Sequence, residues 1–381
     1  MPGSSLPIAS AEPGKRPFLE ESRESFGSWL AARGEPPMRY RQIRRQLLAN
    51  RAESFDSMTD LSKKLRSDLE ADFTPWSTKV EQHLVASDGT HKLLLRLADG
   101  KRIECVLIQD AGRATACIST QVGCGMGCVF CASGLNGVER NLTTGEIVEQ
   151  LVRLRNLTQR EPIDPDRPTR LTHVVVMGMG EPLANLDRLL EALAIAGEKD
   201  SLHIGARHIT ISTVGLPAKI RQLALSGKQY SLAVSLHAPN DELRTKIVPT
   251  NANVGIRAIL AAADEFYTIT GRQVTYEYVV LGQLNDQPEH ARQLAGLLRN
   301  KKAHVNLIPW NDVAGLPYRR PRDADLDGLI GTLEAAGISV KVRKRKGAEI
   351  DAACGQLRRE AEEKQGFTAE VPRDAEDNPE S

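Results

Sequence analysis

The 381-residue sequence predicts an α/β protein: an incomplete (β/α) barrel with a small helical N-terminal domain and a β-hairpin extension. Three observations point there. From Ala114 onward, short β-branched, apolar runs alternate with helical patterns, which gives a parallel sheet with right-handed crossovers. Between Phe18 and Phe73 the apolar spacing is helical, broken at Gly34 and at Pro36 and Pro37. In between, "QHLVAS" and "HKLLLRLADGKRIECVLI" read as strands, and the "ADGK" turn makes a hairpin of the second run.

Taken in order, residues 1–16 are rich in Pro, Gly and Ser and are expected to be disordered. Residues 17–78 form the helical domain, residues 79–113 a hairpin linker and residues 114–357 the barrel core. Residues 358–381 finish a helix and run into a polar, acidic, disordered tail, "EVPRDAEDNPES". The core strands are "ATACIST", "LTHVVVMGMG", "HITISTVG", "SLAVSLHA", "VTYEYVVLG", "AHVNLIPW" and "ISVKVRK". The intervening helices are "TTGEIVEQLVRLRNL", "LDRLLEALAIAGE", "LPAKIRQLALSG", "VGIRAILAAADEFYTIT", "PEHARQLAGLLRN" and "LDGLIGTLEAAG". In barrels of this kind the chemistry sits where strands end and loops begin. Glu181, Ser212, Ser235, His237 and Asn311 stand at such ends, and a cysteine-rich loop follows the first strand. All of these are expected on one rim.

The first sixteen residues hold no apolar core of a secretory signal, and no run of 18 apolar residues exists. The expectation is a cytoplasmic protein with no membrane contact. A net charge of +1 averages over uneven segments. "MRYRQIRRQLL" (with Arg39 to Arg45), "YRRPR" and "VKVRKRKG" (with Lys341 to Lys346) are basic, and three such runs suggest an anionic partner. Aromatic residues make up only 4%, which argues against a broad base-stacking platform.

Four of the six cysteines fall in "CISTQVGCGMGCVFC", and another stands far away at Cys354 in "IDAACGQL". Cytoplasmic thiols stay reduced, so the cluster points to metal or redox chemistry. Cys124, Cys128 and Cys131 have the spacing C-x3-C-x2-C. Zinc motifs normally supply four ligands in two pairs. A four-iron cluster takes one thiolate per iron, so three leave one iron open for a small molecule. Gly123, Gly125 and Gly127 let the backbone wrap closely, and Phe130 is placed to shield the site from water. Cys105 has no partner in this reading and is expected to be structural.

The C-x3-C-x-aromatic-C spacing resembles the signature of the radical S-adenosylmethionine (radical SAM) superfamily. "QVGCGMGCVFCASG", "VERNLTTGEI", "VVMGMGEPLAN", "ITISTVG", "SLHAPNDELRTKIVP", "EYVVLGQLND", "NLIPWN" and "IDAACGQL" resemble the RlmN family of adenine-C2 RNA methyltransferases, in that family's order, over Phe18 to Leu357. "GLNGVERN" departs slightly, since the family more often has a Thr-Gly-Lys-like stretch there. The resemblance implies a barrel of the radical SAM type and a [4Fe-4S] cluster on Cys124, Cys128 and Cys131. It implies two SAM molecules per turnover, held by Gly180, Glu181, Ser212, Ser235, Leu236, His237 and Asn311. Cys354 is implied as methyl carrier, Cys117 as the thiol that resolves the enzyme–RNA adduct and leaves a disulfide, and Glu104 as proton acceptor.

Chemistry supports such an apparatus. Adenine C2 lies between two ring nitrogens and is too electron-poor to attack an electrophilic methyl, so a radical route is needed, with a thiolate first taking the methyl. The implied substrates are 23S ribosomal RNA and tRNA, with an electron donor such as flavodoxin and a monomeric enzyme. Three alternatives stay open at this level: a Cfr-type enzyme acting at adenine C8, a non-catalytic zinc-containing RNA-binding protein, and a radical enzyme whose substrate is not RNA.

Overall fold

The computed structural model describes residues 14–158 and 168–357. Residues 1–13 of the segment expected to be disordered, and the tail from residue 358, lie outside the described residues. Arg16–Pro17 (β1) pairs in parallel with Phe73–Thr74 (β2), closing the ends of the helical domain. Within it lie α1 (Arg23–Ala31), α2 (Met38–Leu48) and α3 (Lys63–Asp72). Ser22 and Ser62 cap α1 and α3 by accepting from Ser25 N and Leu65 N, which satisfies an otherwise orphaned donor at each start. Phe18, Phe26, Trp29 and Phe73 pack together inside, with Phe18 edge-on to Phe26 at 5.0 Å.

The next strands are β3 (Lys79–Val85), β4 (His91–Arg96), β5 (Arg102–Asp110) and β6 (Arg113–Cys117). They form an antiparallel meander that runs straight into the main sheet through β5 and β6. The segment is therefore part of the sheet rather than a linker. The reason is legible in "HKLLL", whose residues are all buried: a strand apolar on both faces must be covered on both.

A small antiparallel pair, β7 (Gln121–Gly123) and β8 (Val138–Asn141), closes the base of the cysteine loop. The chain then alternates: α4 (Thr144–Leu157), β9 (His173–Val176), α5 (Leu186–Gly197), β10 (Ile209–Thr213), α6 (Pro217–Ala224), β11 (Ser231–Ser235), α7 (Asp241–Ile247), α8 (Ile256–Thr270), β12 (Val274–Val280), α9 (Pro288–Leu298), β13 (Ala303–Pro309), α10 (Asp323–Ala335) and β14 (Ser339–Val342). All seven expected core strands are present. Helix α7, started by an Asn240 side chain that accepts from Leu243 N, is an element that the apolar spacing does not reveal.

The main sheet has ten strands in the order β14-β13-β12-β11-β10-β9-β6-β5-β4-β3, parallel from β6 to β14. Strands β14 and β3 stand at its two ends, so the sheet curves as an open, incomplete barrel and does not close. Helix α4 is buried almost throughout because the N-terminal domain covers its outer side. Its Arg155 donates to the carbonyls of Leu47, Leu48 and Ala49. Its Glu149 accepts from the backbone and hydroxyl groups of Ser77 and Thr78. One hydrophobic core runs through both regions.

Candidate active site

The C-terminal ends of the parallel strands and the cysteine loop line one cavity. Its walls include Cys124, Cys128, Cys131, Gly180, Glu181, Ser212, Ser235, His237, Asn311 and Cys354. The single-rim expectation thus matches the geometry for Glu181, Ser212, Ser235, His237, Asn311 and the three loop cysteines, and Gly180 and Cys354 join them.

The cysteine loop is pinned from three directions. Cys124 N donates to Gly137 O across its base, and Val129 N donates to Ile247 O beside α7. Trp310 Nε1, beyond β13, donates to Phe130 O at 3.1 Å. The Phe130 ring is buried edge-on against His237, with centroids 4.9 Å apart. Gly127 has φ +67°, a left-handed conformation that suits glycine.

Burial pushes each of the three thiols up: Cys124 to about 11, and Cys128 and Cys131 also upward. For Cys128 the neighbouring Cys131 and Cys124 add to that rise. Three thiolates packed this way need positive charge among them, which a metal centre supplies. Among the described residues no three His, Cys, Asp or Glu side chains converge on a single ion. The C-x3-C-x2-C spacing of this donor set fits a polynuclear cluster that takes one thiolate per iron.

Glu181 follows β9, is 3% exposed, and accepts Leu183 N through Oε1 and Val214 N through Oε2. Its carboxylate ties the ends of β9 and β10 together, and burial pushes its pKa up. Gly180 has φ +101°, and a Cβ there would stand 2.6 Å from Gln121 Cβ, so only glycine fits. The Ser212 and Ser235 hydroxyls face each other at 3.4 Å. His237 takes positive φ and accepts Val279 N at Nδ1; burial, with Arg244 nearby, pushes its pKa down to about 3, so it is neutral. Leu236 is fully buried in the core and its carbonyl accepts from Arg244 Nε, so its side chain does not face the cavity.

Cys354 arrives on the C-terminal segment, which docks onto the cysteine loop. Ala132 N donates to Gly355 O, Ser133 Oγ to Leu357 O, and Asn311 Nδ2 to Cys354 O. Cys354 also lines a second cavity on the other side, together with Cys117. Met177, Glu277, Ile308, Asn311 and Arg343 border both cavities as well. Arg113, Arg320, Lys341, Arg343, Lys344, Arg345 and Lys346 make the second cavity strongly basic. Burial pushes the Cys117 thiol up to about 12.

Glu104 borders neither cavity. It is 1% exposed and ion-paired to Lys92 at 2.9 Å, so a surface-facing strand carboxylate is excluded. Cys105 points to the opposite face of β5 from Glu104, fully buried. The basic helix α2 spends much of its charge internally: Arg41 pairs with Asp200, Arg44 with Glu198 and Arg39 with Glu35.

Sequence reasoning missed three charges beside the site, two of them buried (Arg244 and Glu277) and one half-buried (Arg343). Arg244 donates to Leu236, Ser235 and Val214 carbonyls and to Asn251. Glu277 accepts from Asn306. Arg343 sits by Cys354, Glu277 and Cys117, and Cys354 leads the causes that raise its pKa. The signal for Arg343 was the period-two alternation of "SVKVR": Ser339 and Lys341 share one face of β14, and Arg343, the next residue in that alternation, follows just past the end of the strand.

Residues 118–295 match the model of the radical SAM superfamily, and residues 18–74 match that of the ribosomal RNA large subunit methyltransferase N-terminal domain. A probable dual-specificity RNA methyltransferase RlmN from Rhodopirellula baltica is 52% identical over 364 residues, 94% of this chain and 96% of that protein. Its namesake from Symbiobacterium thermophilum is 45% identical, covering 93% of this chain and 94% of that protein. A crystal structure of a radical SAM methyltransferase from Sphaerobacter thermophilus superposes with a TM-score of 0.85 at 41% identity, over 90% of this chain and 99% of that one. With its cysteine loop, its open barrel and relatives of this similarity over nearly its whole length, the chain belongs to the RlmN family of radical SAM methyltransferases.

Proposed function

We propose that this chain methylates C2 of one adenosine in 23S ribosomal RNA, and of an adenosine beside the anticodon in some tRNAs. The position of Cys354 carries the reading: it is where the cavity of the cysteine loop and the basic cavity meet. One side suits a cluster and SAM, and the other suits polyanionic RNA.

Cys124, Cys128 and Cys131 would hold the cluster. Gly180, Glu181, Ser212, Ser235, His237 and Asn311 would hold SAM, with Leu236 contributing backbone alone. When bound, these groups supply the one-electron cleavage of SAM that activates a sulfur-bound methyl for attack on C2. The protein's own residues do the rest. Cys354 would accept the methyl of one SAM as a thiolate nucleophile, and a second SAM would supply the activation, two per turnover. Asn311 steadies the carrier through the Cys354 carbonyl. Arg343 sets a positive charge next to both thiols of the exchange. The family resemblance assigns the C2 proton to Glu104 as general base, on the sheet face that it shares with Cys117, which lines the basic cavity. Cys117, as thiolate, would then attack the Cys354 sulfur; the sulfur–methylene bond breaks, its electron pair leaves on the carbon, which takes up a proton to become the methyl group of the freed RNA, and the two sulfurs are left as a disulfide. All six cysteines are free in this structure.

The enzyme works as a cytoplasmic monomer, where its RNA substrates are, with a flavodoxin-like electron donor. Membership of the RlmN family disfavours the C8 alternative and displaces the zinc-protein reading.

The test is Cys354→Ala, purified without oxygen, with reconstituted cluster, SAM, reductant and a 23S fragment. SAM cleavage to 5′-deoxyadenosine persists at some rate and methyl transfer to RNA is lost. Persistent RNA methylation would remove Cys354 as carrier. Mass mapping of the wild-type product distinguishes C2 from C8.

A further inference from the structure

A third ionisable side chain lies on the sheet face that carries Glu104 and Cys117, and the mechanism above leaves it unused. Lys92 is on β4, directly opposite Val106 of β5, and Val106 is opposite Cys117 of β6. Directly opposed residues share a face, so Lys92, Val106 and Cys117 point the same way, and Glu104, two residues from Val106, joins them. The Lys92 ammonium stands 2.9 Å from Glu104 Oε1, at 2% and 1% side-chain exposure. Its Nζ also donates to Asp351 O at 3.4 Å, three residues before Cys354.

We propose that Lys92 is the positioning residue of the proton-transfer step: its ammonium keeps Glu104 in the charged, proton-accepting form and anchors it to the segment that delivers Cys354. This rests on the reading of Glu104 as general base.

Two physical arguments carry it. First, a buried ion pair adds little stability over apolar residues of the same size. Here it sits in a sheet region otherwise filled by Leu93, Leu94, Leu95, Ile103 and Val106, where apolar packing would serve. Second, a carboxylate buried without a cation prefers its neutral form and then cannot accept a proton. The bond to Asp351 O gives the ammonium a second partner. When the C2 proton moves onto Glu104 and neutralises it, the cation stays hydrogen-bonded. The same bond, between residues 259 apart in sequence, ties the cation that holds the base to the segment that bears the carrier.

The experiment compares wild type, Lys92→Arg, Lys92→Met, Glu104→Gln and the Lys92→Met/Glu104→Gln double variant. In each sample, intact-protein mass reads S-methylation of Cys354, and a denaturing gel reads covalent RNA–enzyme adduct. The expected result for Lys92→Met is a fall in RNA release on the order of a hundredfold, the lower range of general-base effects, with adduct accumulating as it does in Glu104→Gln. Lys92→Arg restores most of the release, and the double variant is no worse than Glu104→Gln, because both act on one step.

Should Lys92→Met prove insoluble, Lys92→Gln, polar but uncharged, takes its place with the same expected and overturning results. Release in Lys92→Met at the wild-type rate overturns the inference. So does a loss of Cys354 methylation as large as the loss of release, since Lys92 would then only hold the segment in place. If Glu104→Gln itself builds up no adduct, the general-base reading has failed. If Glu104→Gln builds up adduct and Lys92→Met does not, the Lys92 inference alone has failed.

Discussion

Arg244 is 1% exposed, and its guanidinium joins the ends of β10 and β11 to α7 through the carbonyls of Val214, Ser235 and Leu236 and the side chain of Asn251. Removing one side of a buried polar network leaves the other unsatisfied, so Arg244→Met should cost about 3–5 kcal/mol in urea unfolding and weaken SAM retention. His237 acts through pH. Its ring is held neutral down to about pH 3, whereas an unfolded histidine takes a proton near 6.5. Between those values the unfolded chain binds the extra proton, so stability falls as pH drops through this window. His237→Gln should flatten that part of the stability-versus-pH curve, read by urea midpoints from pH 7 to pH 4.

At the scale of elements, the turn between β3 and β4 grips the segment that leads to Cys354. Asp88 Oδ2 accepts Gly347 N, and the Glu349 carboxylate accepts from Ser87 N and Oγ. Gly347 has φ +62°, and a Cβ there would stand 2.7 Å from Ala352 Cβ and 2.8 Å from Thr90 Cγ2. Gly347→Ala should therefore unseat the segment and slow S-methylation of Cys354, read by intact mass against time. Asp88→Ala removes the hydrogen bonds that its carboxylate accepts from Thr90 N within the turn and from Gly347 N on the segment; the latter is worth about 1 kcal/mol, so a slowing of about fivefold is expected. Rates equal to wild type in both variants would mean that the grip does not position Cys354.

Across the whole molecule, charge is distributed unevenly between two basic regions that look alike in sequence. Helix α2 points Arg41 and Arg44 at Asp200 and Glu198 of the barrel, whereas Lys344 and Arg345 are exposed at the basic cavity and Lys346 pairs with Asp110. Replacing Lys344, Arg345 and Lys346 by Gln should weaken RNA binding and flatten its salt dependence, by about 0.7–0.9 in log–log slope for each phosphate that is no longer neutralised. The same change at Arg41 and Arg44 should affect the slope little. An unchanged slope in the first variant would remove this cavity as the RNA approach.

How much of this was legible from the chain depends on the range of the physics involved. Strand and helix identities follow from local periodicity, and the seven core strands from "ATACIST" to "ISVKVRK" appear where that periodicity puts them. The cysteine loop was equally plain, because three ligands at fixed spacing are a local fact. The embedding of the β3–β5 meander in the main sheet was less plain, since strand partners are set by edges that meet only in the fold. Glu104 illustrates the limit. In sequence it is one carboxylate in "RIECV", and only pairing with β4 brings Lys92 to it. Arg343 is similar: the run "VRKRK" reads as a solvated face, yet strand alternation turns one of its cations inward beside Cys354. By itself, then, the sequence determined the fold class, the cysteine spacing and the family, because those rest on periodicity, on spacing and on motifs read along the chain. The tertiary structure decided which charges are buried, which thiols share a cavity and where Cys354 stands between the two cavities, because burial and Coulomb interaction depend on distances that only the folded chain sets.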